Sequence, residues 1–91
     1  MQIDVNVPGL LRDCTGGRAS FTLEAETLQE ALQLMLDTYP LLRVHLYTES
    51  GDVRKHVFLY YNDDNIAWLD RLDIPLKKGD KLNVLQSVSG G

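Results

Sequence analysis

One strong helix signal stands among segments typical of β-strands, and it limits the fold more than any other feature. The run from Thr27 to Glu30 matches a capping box, in which the threonine hydroxyl and the glutamate carboxylate each satisfy a free backbone N–H. Pro40 ends the pattern, because proline cannot continue a helix. The sequence therefore predicts one amphipathic helix over residues 27–39. Its apolar stripe consists of Leu28, Ala31, Leu32, Met35, Leu36 and Tyr39.

The segments around this helix favour a sheet. The first two alternate apolar and polar residues on either side of a loop that Gly16-Gly17 closes, which predicts a hairpin with a long connection. A single helix among several strands must cover one face of their sheet, so this order of elements predicts a two-layer α+β domain. The first and last strands are far apart in sequence, so any pairing between them would be parallel or late-forming, and the pattern does not decide between these. Residues 41–46 are read as a short helical turn. The candidate strands are residues 2–7, 20–24, 55–61, 66–69 and 81–88.

Composition excludes several functional classes. The 91 residues fit one domain, and a net charge of -4 disfavours nucleic acid, whose phosphates require clustered lysine and arginine. We expect no membrane association and a cytoplasmic location, because there is neither a signal-peptide pattern nor an apolar run of about 20 residues. The one cysteine, Cys14, cannot form an internal disulfide or supply the ligands of an iron–sulfur cluster.

The last fifteen residues, KKGDKLNVLQSVSGG, resemble the end of the MoaD/ThiS sulfur-carrier family, in which a Gly-Asp turn precedes an alternating strand and a Gly-Gly terminus. The stretch LYYNDD is similar to the third strand of that family and the turn after it. The family often has proline where this chain has Gln86 or Ser87, and alanine where it has Ser89. A pattern similar to CysO-type carriers is formed by Pro8, Leu11, Arg12, Thr15, Gly16 and Gly17.

The resemblance implies a β-grasp, ubiquitin-like fold and a role as a protein co-substrate rather than as a catalyst. It implies that an adenylyltransferase similar to ubiquitin-activating enzymes uses ATP to adenylate the carboxylate of Gly91, and that no cofactor is bound. A thiocarboxylate then forms at Gly91 and donates sulfur to a second partner. That partner would be a molybdopterin synthase large subunit, a thiazole synthase or an enzyme of cysteine-synthase type.

Residues 87–91 are expected to form a flexible reactive tail on a domain that spans residues 1–91. These five residues span at most about 17 Å when fully extended, so the acyl carbon could enter the active site of a partner while the body stays outside. Glycine allows close backbone approach there. Gly90, Ser89 and Val88 are the residues expected to thread into the partner. Glycine at a chain end also occurs without any function, so the tail remains a hypothesis at this point.

A docking surface is expected on the third and last strands. Alternation places Phe58 and Tyr60 on the face opposite to Val57, Leu59 and Tyr61, which the family resemblance assigns to the core. On the last strand, Leu82 and Val84 point inward, so Leu85 points outward. The sequence thus predicts that Phe58, Tyr60 and Leu85 dock a partner, although single exposed apolar residues are also common.

Two other functions compete with the carrier. A ubiquitin-like protein modifier would use the same activation and pass Gly91 to lysine amines. A small enzyme would use Cys14 or the two histidines, His45 and His56, but their spacing does not match a metal site. The acidic pair at residues 63–64 is explained by a solvated turn, and Gly16-Gly17 lacks the lysine and the helix of a P-loop.

Overall fold

The structure is a computed structural model that describes residues 1–86. Within that range it contains a mixed five-stranded sheet, two α-helices and two short 3-10 helices. In chain order these are β1 (Gln2–Asn6), a 3-10 helix (Gly9–Thr15), β2 (Ser20–Glu24), α1 (Leu28–Thr38), α2 (Pro40–Leu46), β3 (Val57–Tyr61), β4 (Asp64–Asn65), a second 3-10 helix (Ile66–Trp68) and β5 (Lys81–Gln86). The predicted α+β class is confirmed.

The strands lie in the order β2-β1-β5-β3-β4, so the last strand occupies the centre of the sheet. β1 and β2 form the predicted antiparallel hairpin, whereas β1 and β5 pair in parallel. β3 runs antiparallel to β5, with Val57 opposite Gln86 and Tyr61 opposite Leu82. The C-terminal end of β5 therefore lies beside the N-terminal end of β3.

α1 forms where the sequence predicts it and is one residue shorter at each end, with Thr27 and Tyr39 as its caps. The Thr27 hydroxyl accepts a hydrogen bond from the Glu30 backbone N–H at 3.1 Å. The Glu30 carboxylate accepts from the backbone N–H of Glu26 at 3.4 Å, one residue before the position expected of a capping box. Pro40 ends this helix and begins α2, where its missing N–H costs nothing at the first helical position.

One apolar core lies between the sheet and the two helices. Alternate residues of β1, β3 and β5 point into it, as do the buried sides of α1 and α2. No helix within residues 1–86 is long and apolar enough to cross a membrane. Core side chains with at most 1% of their surface exposed include Ile3, Val5, Leu28, Met35, Leu42, Leu46, Leu59 and Leu82.

Some local predictions are wrong. β3 begins at Val57 and not at residue 55, because a turn closed by the Val57 backbone N–H and the Arg54 carbonyl at 3.0 Å comes before it. Residues 66–69 do not form a strand, because the Asn65 side-chain oxygen accepts from the Ala67 backbone N–H at 2.9 Å and caps a 3-10 turn, while β4 lies just before it. The connection after β1 is a 3-10 helix rather than an open loop. Thr15 closes it by donating its hydroxyl toward the carbonyls of Arg12 and Arg18, at 3.1 and 2.6 Å.

Candidate functional site

β5 is the element that leads to the predicted reactive residues. It is flanked on both sides, by β1 and by β3, and its described part ends at Gln86. The residues predicted to react or to thread into a partner, Val88, Ser89, Gly90 and Gly91, lie outside the described residues, as does the rest of the predicted tail. The site can therefore be built from the strand that precedes them and from its surroundings.

The start of β5 is held by the buried carboxylate of Asp80, whose residue is only 5% exposed. Gly79 adopts a φ of 88°, which completes a turn closed by the Asp80 backbone N–H and the Lys77 carbonyl at 3.1 Å. The carboxylate accepts hydrogen bonds from the Lys77 backbone N–H at 2.7 Å, from the Asn62 side-chain amide at 3.3 Å and from the Tyr61 hydroxyl. Three donors thus satisfy a charge that burial alone would disfavour.

The same contacts shift two acid–base equilibria in opposite directions. Burial raises the pKa of Asp80, but the hydrogen bonds from Tyr61, the Lys77 backbone and Asn62 outweigh burial and leave that pKa below its ordinary value. Burial, followed by the hydrogen bond to the Asp80 carboxylate, raises the pKa of Tyr61 to about 12. The pair therefore consists of a carboxylate and a neutral phenol at physiological pH.

Asn62, which directly follows β3, also holds the start of β5. We call Asp80 and its partners Tyr61, Asn62 and the Lys77 backbone the Asp80 anchor. The Asn62 backbone lies in the left-handed region at a φ of 57°, which asparagine tolerates better than most residues. Its backbone N–H donates to the Lys81 carbonyl at 2.8 Å, and its side-chain oxygen accepts from the Lys81 backbone N–H at 3.0 Å. This group was not predicted from the sequence, although Tyr61-Asn62 at the end of β3 and the Gly-Asp turn before β5 were its visible signals.

The face of the sheet that the helices leave uncovered, here called the open face, has an apolar half and a polar half. Phe58 and Leu85 lie opposite each other on β3 and β5, 37% and 49% exposed, with Tyr60 half-buried beside them. On the β1 side of the same face, the Asn6 side-chain amide donates to the Asn83 side chain at 3.0 Å. We call Phe58, Tyr60 and Leu85 the apolar patch. The structure places these three where the sequence predicts them, and their role in docking stays a prediction.

The structure places the candidate catalytic cysteine in the core. Cys14, expected in a loop, lies in the first 3-10 helix and is buried, because Leu11 and Cys14 face the core together. Burial, and to a lesser degree the charge of Asp13, raises the pKa of the Cys14 thiol. A neutral thiol is a poor nucleophile. Within residues 1–86, no cluster of three histidine, cysteine, aspartate or glutamate side chains could hold a metal ion.

Comparisons with known proteins agree with this geometry. The model of the ThiS family matches residues 5–91. The sulfur carrier protein CysO of Mycobacterium tuberculosis is 28% identical over 93 residues, and the match covers 100% of both chains. A chain of the BexX/CysO complex of Amycolatopsis orientalis is 27% identical at a TM-score of 0.79, over 98% of this chain and 99% of that one.

A further solved structure has the same fold. A chain of the complex between subunits 1 and 2 of the molybdopterin-converting factor of Helicobacter pylori is 26% identical at a TM-score of 0.63, with 100% of each chain covered. Together with the CysO-containing complex, this similarity confirms the β-grasp fold that the sequence resemblance implies. Each match extends over nearly the whole chain, so it reflects the complete domain rather than a local motif.

Proposed function

The chain belongs to the ThiS family and is a sulfur carrier protein, and we propose that its reactive group is the backbone carboxylate of Gly91. The observation that carries this proposal is the extent of the family match, which runs to residue 91 and includes the Gly-Gly pair. The protein acts as a co-substrate of partner enzymes. The reactive atom belongs to its own backbone, and the catalytic groups belong to the partners.

The chemistry requires activation before sulfur can be attached. An α-carboxyl group has a pKa of about 3.3–3.7, so at neutral pH it is a resonance-stabilised anion and a poor electrophile. We propose that an adenylyltransferase joins this carboxylate to the AMP part of ATP with loss of pyrophosphate. A sulfur nucleophile then attacks the acyl carbon, and AMP leaves. With sulfide the product is directly a thiocarboxylate; with a protein persulfide, a thiol must afterwards cleave the acyl disulfide.

The thiocarboxylate would then deliver its sulfur to a second partner. CysO-type relatives make an enzyme of cysteine-synthase type the first acceptor to test. The molybdopterin-converting factor of H. pylori, in which a similar chain is bound to another subunit, supports a molybdopterin synthase subunit as the next, and a thiazole synthase as the third. In each case the carrier must present the same terminal group to two successive proteins.

We propose that the Asp80 anchor and the apolar patch have different roles when Gly91 is presented to a partner: the anchor positions β5, and the patch binds the partner. The Asp80 anchor fixes the start of β5, β1 pairs with residues 81–83, and β3 pairs with the strand as far as Gln86, so the position of Gln86 relative to the body is defined. The apolar patch lies on β5 and β3 and offers exposed aromatic and aliphatic surface to a partner. A partner that binds this patch is thereby placed within reach of the residues after Gln86.

The test is an intact-mass measurement on the full chain. The protein is incubated with ATP, magnesium, a candidate adenylyltransferase and sulfide, and we expect the mass to rise by one oxygen-to-sulfur exchange. Omission of ATP or deletion of Gly91 should abolish the change. Cys14→Ser is the matched control and should react normally, because the thiol takes no part in the chemistry.

Other outcomes identify the competing functions. Adducts of high mass that survive reductant and contain an isopeptide-linked lysine would favour a protein modifier. Loss of reaction in Cys14→Ser together with full reaction after deletion of Gly91 would contradict the carrier mechanism. No mass change with adenylyltransferases that activate a CysO-type control in the same assay would contradict it as well.

A further inference from the structure

A cavity of about 570 Å³ lies in the helical layer, on the side of the sheet opposite to the apolar patch. Its walls come from α1, from the second half of α2, from the loop that leads to β3 and from Leu72. Protein cavities of roughly 300–1,000 Å³ are of the size that binds ligands. None of the residues of β5 or of the apolar patch lines this one.

The cavity has an apolar floor and an apolar rim. Leu32 and Leu36 of α1 form the floor together with the half-buried Leu72. Val44 of α2 stands at the rim and is 61% exposed, so its side chain contributes little to the core. An aliphatic group in the cavity would bury these surfaces together, which is favourable by about 25 cal/mol for each Å² of apolar surface removed from water.

The charge of the lining is opposite to that of the chain as a whole. Two arginines, Arg43 and Arg54, line the cavity with one acidic residue, Glu49. The rest of the chain carries seven basic and twelve acidic side chains, which follow from totals of nine and thirteen. The cavity is therefore a local cationic region on an acidic protein, and it favours an anionic ligand.

Arg54 is held in place for such a ligand. Its Nε donates to the Val44 carbonyl at 2.9 Å, and its backbone N–H donates to the Leu46 carbonyl at 2.8 Å. A guanidinium has five N–H donors, so this anchoring leaves its terminal nitrogens able to bind a carboxylate in a bidentate manner. Arg43 makes a long contact of 3.9 Å to exposed Asp37, which holds it weakly.

The length of the cavity favours an extended peptide. Its lining on α1 runs from Gln29 to Leu36, a span of seven residue-to-residue steps that rises about 10 Å along the helix axis. Three residues of an extended chain cover about the same distance. Such a segment can place an aliphatic side chain on the floor while a neighbouring acidic side chain reaches the arginines.

We propose that this cavity docks a partner protein through a short extended segment that carries an aliphatic residue next to an aspartate or glutamate. Because the cavity and the apolar patch lie on opposite sides of the sheet, both can be occupied at once. The protein could then remain attached to one partner while another binds the open face. The inference stands apart from the chemistry of Gly91, and its failure would leave the carrier mechanism untouched.

The test is a titration of the isotopically labelled full chain, followed by amide chemical shifts. The probe is a blocked tetrapeptide of alternating leucine and glutamate. We expect saturable shifts at the residues that line the cavity. Val44→Glu should weaken binding at least about tenfold, because it places a like charge at the rim.

Leu41→Glu is the matched control. Leu41 lies on the same helix and is 56% exposed, but it does not line the cavity. This variant adds the same charge and should change affinity by less than about twofold, because exposed charges at a distance are screened by salt. Folding of both variants is checked by the dispersion of their amide spectra.

Substitution of the charges sharpens the test. Arg43→Gln and a probe with glutamine in place of glutamate should each weaken binding about fivefold, because each removes a charged partner. Lys55→Gln should leave the affinity unchanged, because Lys55 does not line the cavity. The proposal is overturned if the shifts centre on the apolar patch, or if Val44→Glu and Leu41→Glu weaken binding equally. It is also overturned if the glutamine probe or free glutamate binds as well as the original probe.

Discussion

The two sides of β3 and β5 carry similar residues that meet very different surroundings. On the inner side, Leu59 and Val84 are 1% and 2% exposed and pack beneath the helices. On the outer side, Phe58 and Leu85 are 37% and 49% exposed and meet no covering layer in the described part of the chain. The inner set therefore stabilises the fold, whereas the outer set is available for a partner.

The largest expected effect is on the inner side. Leu59→Ala should lower the free energy of unfolding by about 2–5 kcal/mol, because it removes buried methyl groups and leaves a cavity. Phe58→Ala, one residue away on the outer side, should lower it by less than about 1 kcal/mol, as is usual for surface positions. Urea denaturation of both variants measures the difference. Equal losses would contradict the division between the two sides.

The next effect concerns the anchor at the start of β5. Tyr61→Phe removes the hydroxyl that donates to Asp80 and should cost about 1–3 kcal/mol, because a buried carboxylate loses a donor. Tyr60→Phe is the matched control, since Tyr60 lies on the outer side and should change little. If both substitutions have the same effect on the urea midpoint, the anchor does not stabilise β5.

The anchor also predicts how stability depends on pH. The pKa of Asp80 is lowered by folding, so its contribution is present above the pKa of the unfolded chain and is lost as pH falls through the folded value. The pKa of Tyr61 is raised to about 12, so its contribution is present below its ordinary pKa of 10.0 and is lost as pH rises through the folded value.

Urea midpoints between neutral pH and pH 12 test the alkaline half of this prediction. The wild type should lose stability above pH 10, and Tyr61→Phe should show a clearly smaller loss, because the variant has no phenol at that position. If the urea midpoints of the wild type and of Tyr61→Phe fall equally with rising pH, other groups cause the loss of stability.

The smallest effect on folding should accompany a clear effect on function. Phe58→Ala and Leu85→Ala should each raise the KM that the sulfur-loading or sulfur-accepting partner shows for this protein about five- to tenfold. The reason is that truncated contacts at an interface weaken binding. Leu34→Ala is the control, since Leu34 is also 37% exposed but lies on α1, in the other layer. A KM that is unchanged in both patch variants would remove the apolar patch from the docking surface.

Local signals explain which parts of this molecule could be predicted from sequence. The capping box and apolar stripe of α1 act between residues three or four apart, so they are visible without knowledge of the fold. The inner and outer sides of β3 follow from alternation along one strand, as Leu59 and Phe58 show. The hairpin of β1 and β2 also follows, because the two strands are neighbours in the chain.

Contacts between residues far apart in the chain explain most of the features that the sequence did not predict. The Asp80 carboxylate and the Tyr61 hydroxyl are 19 residues apart, and they meet only because β3 and β5 pair in one particular register. The cavity beside Arg54 likewise depends on how α1, α2 and a loop pack together. The strand expected at residues 66–69 is an exception, because a local contact replaces it: the Asn65 side chain accepts a hydrogen bond from the backbone two residues later, which favours a 3-10 turn.

Peptide mapping shows which residue carries the added sulfur and so tests directly whether Gly91 is the reactive residue. Trypsin cleaves after Lys81 and releases residues 82–91 as one peptide, because no lysine or arginine follows. After reaction with ATP, adenylyltransferase and sulfide, tandem mass spectrometry should place one oxygen-to-sulfur exchange on Gly91 of this peptide. An unchanged 82–91 peptide, together with added sulfur on the peptide that carries Cys14, would contradict the mechanism.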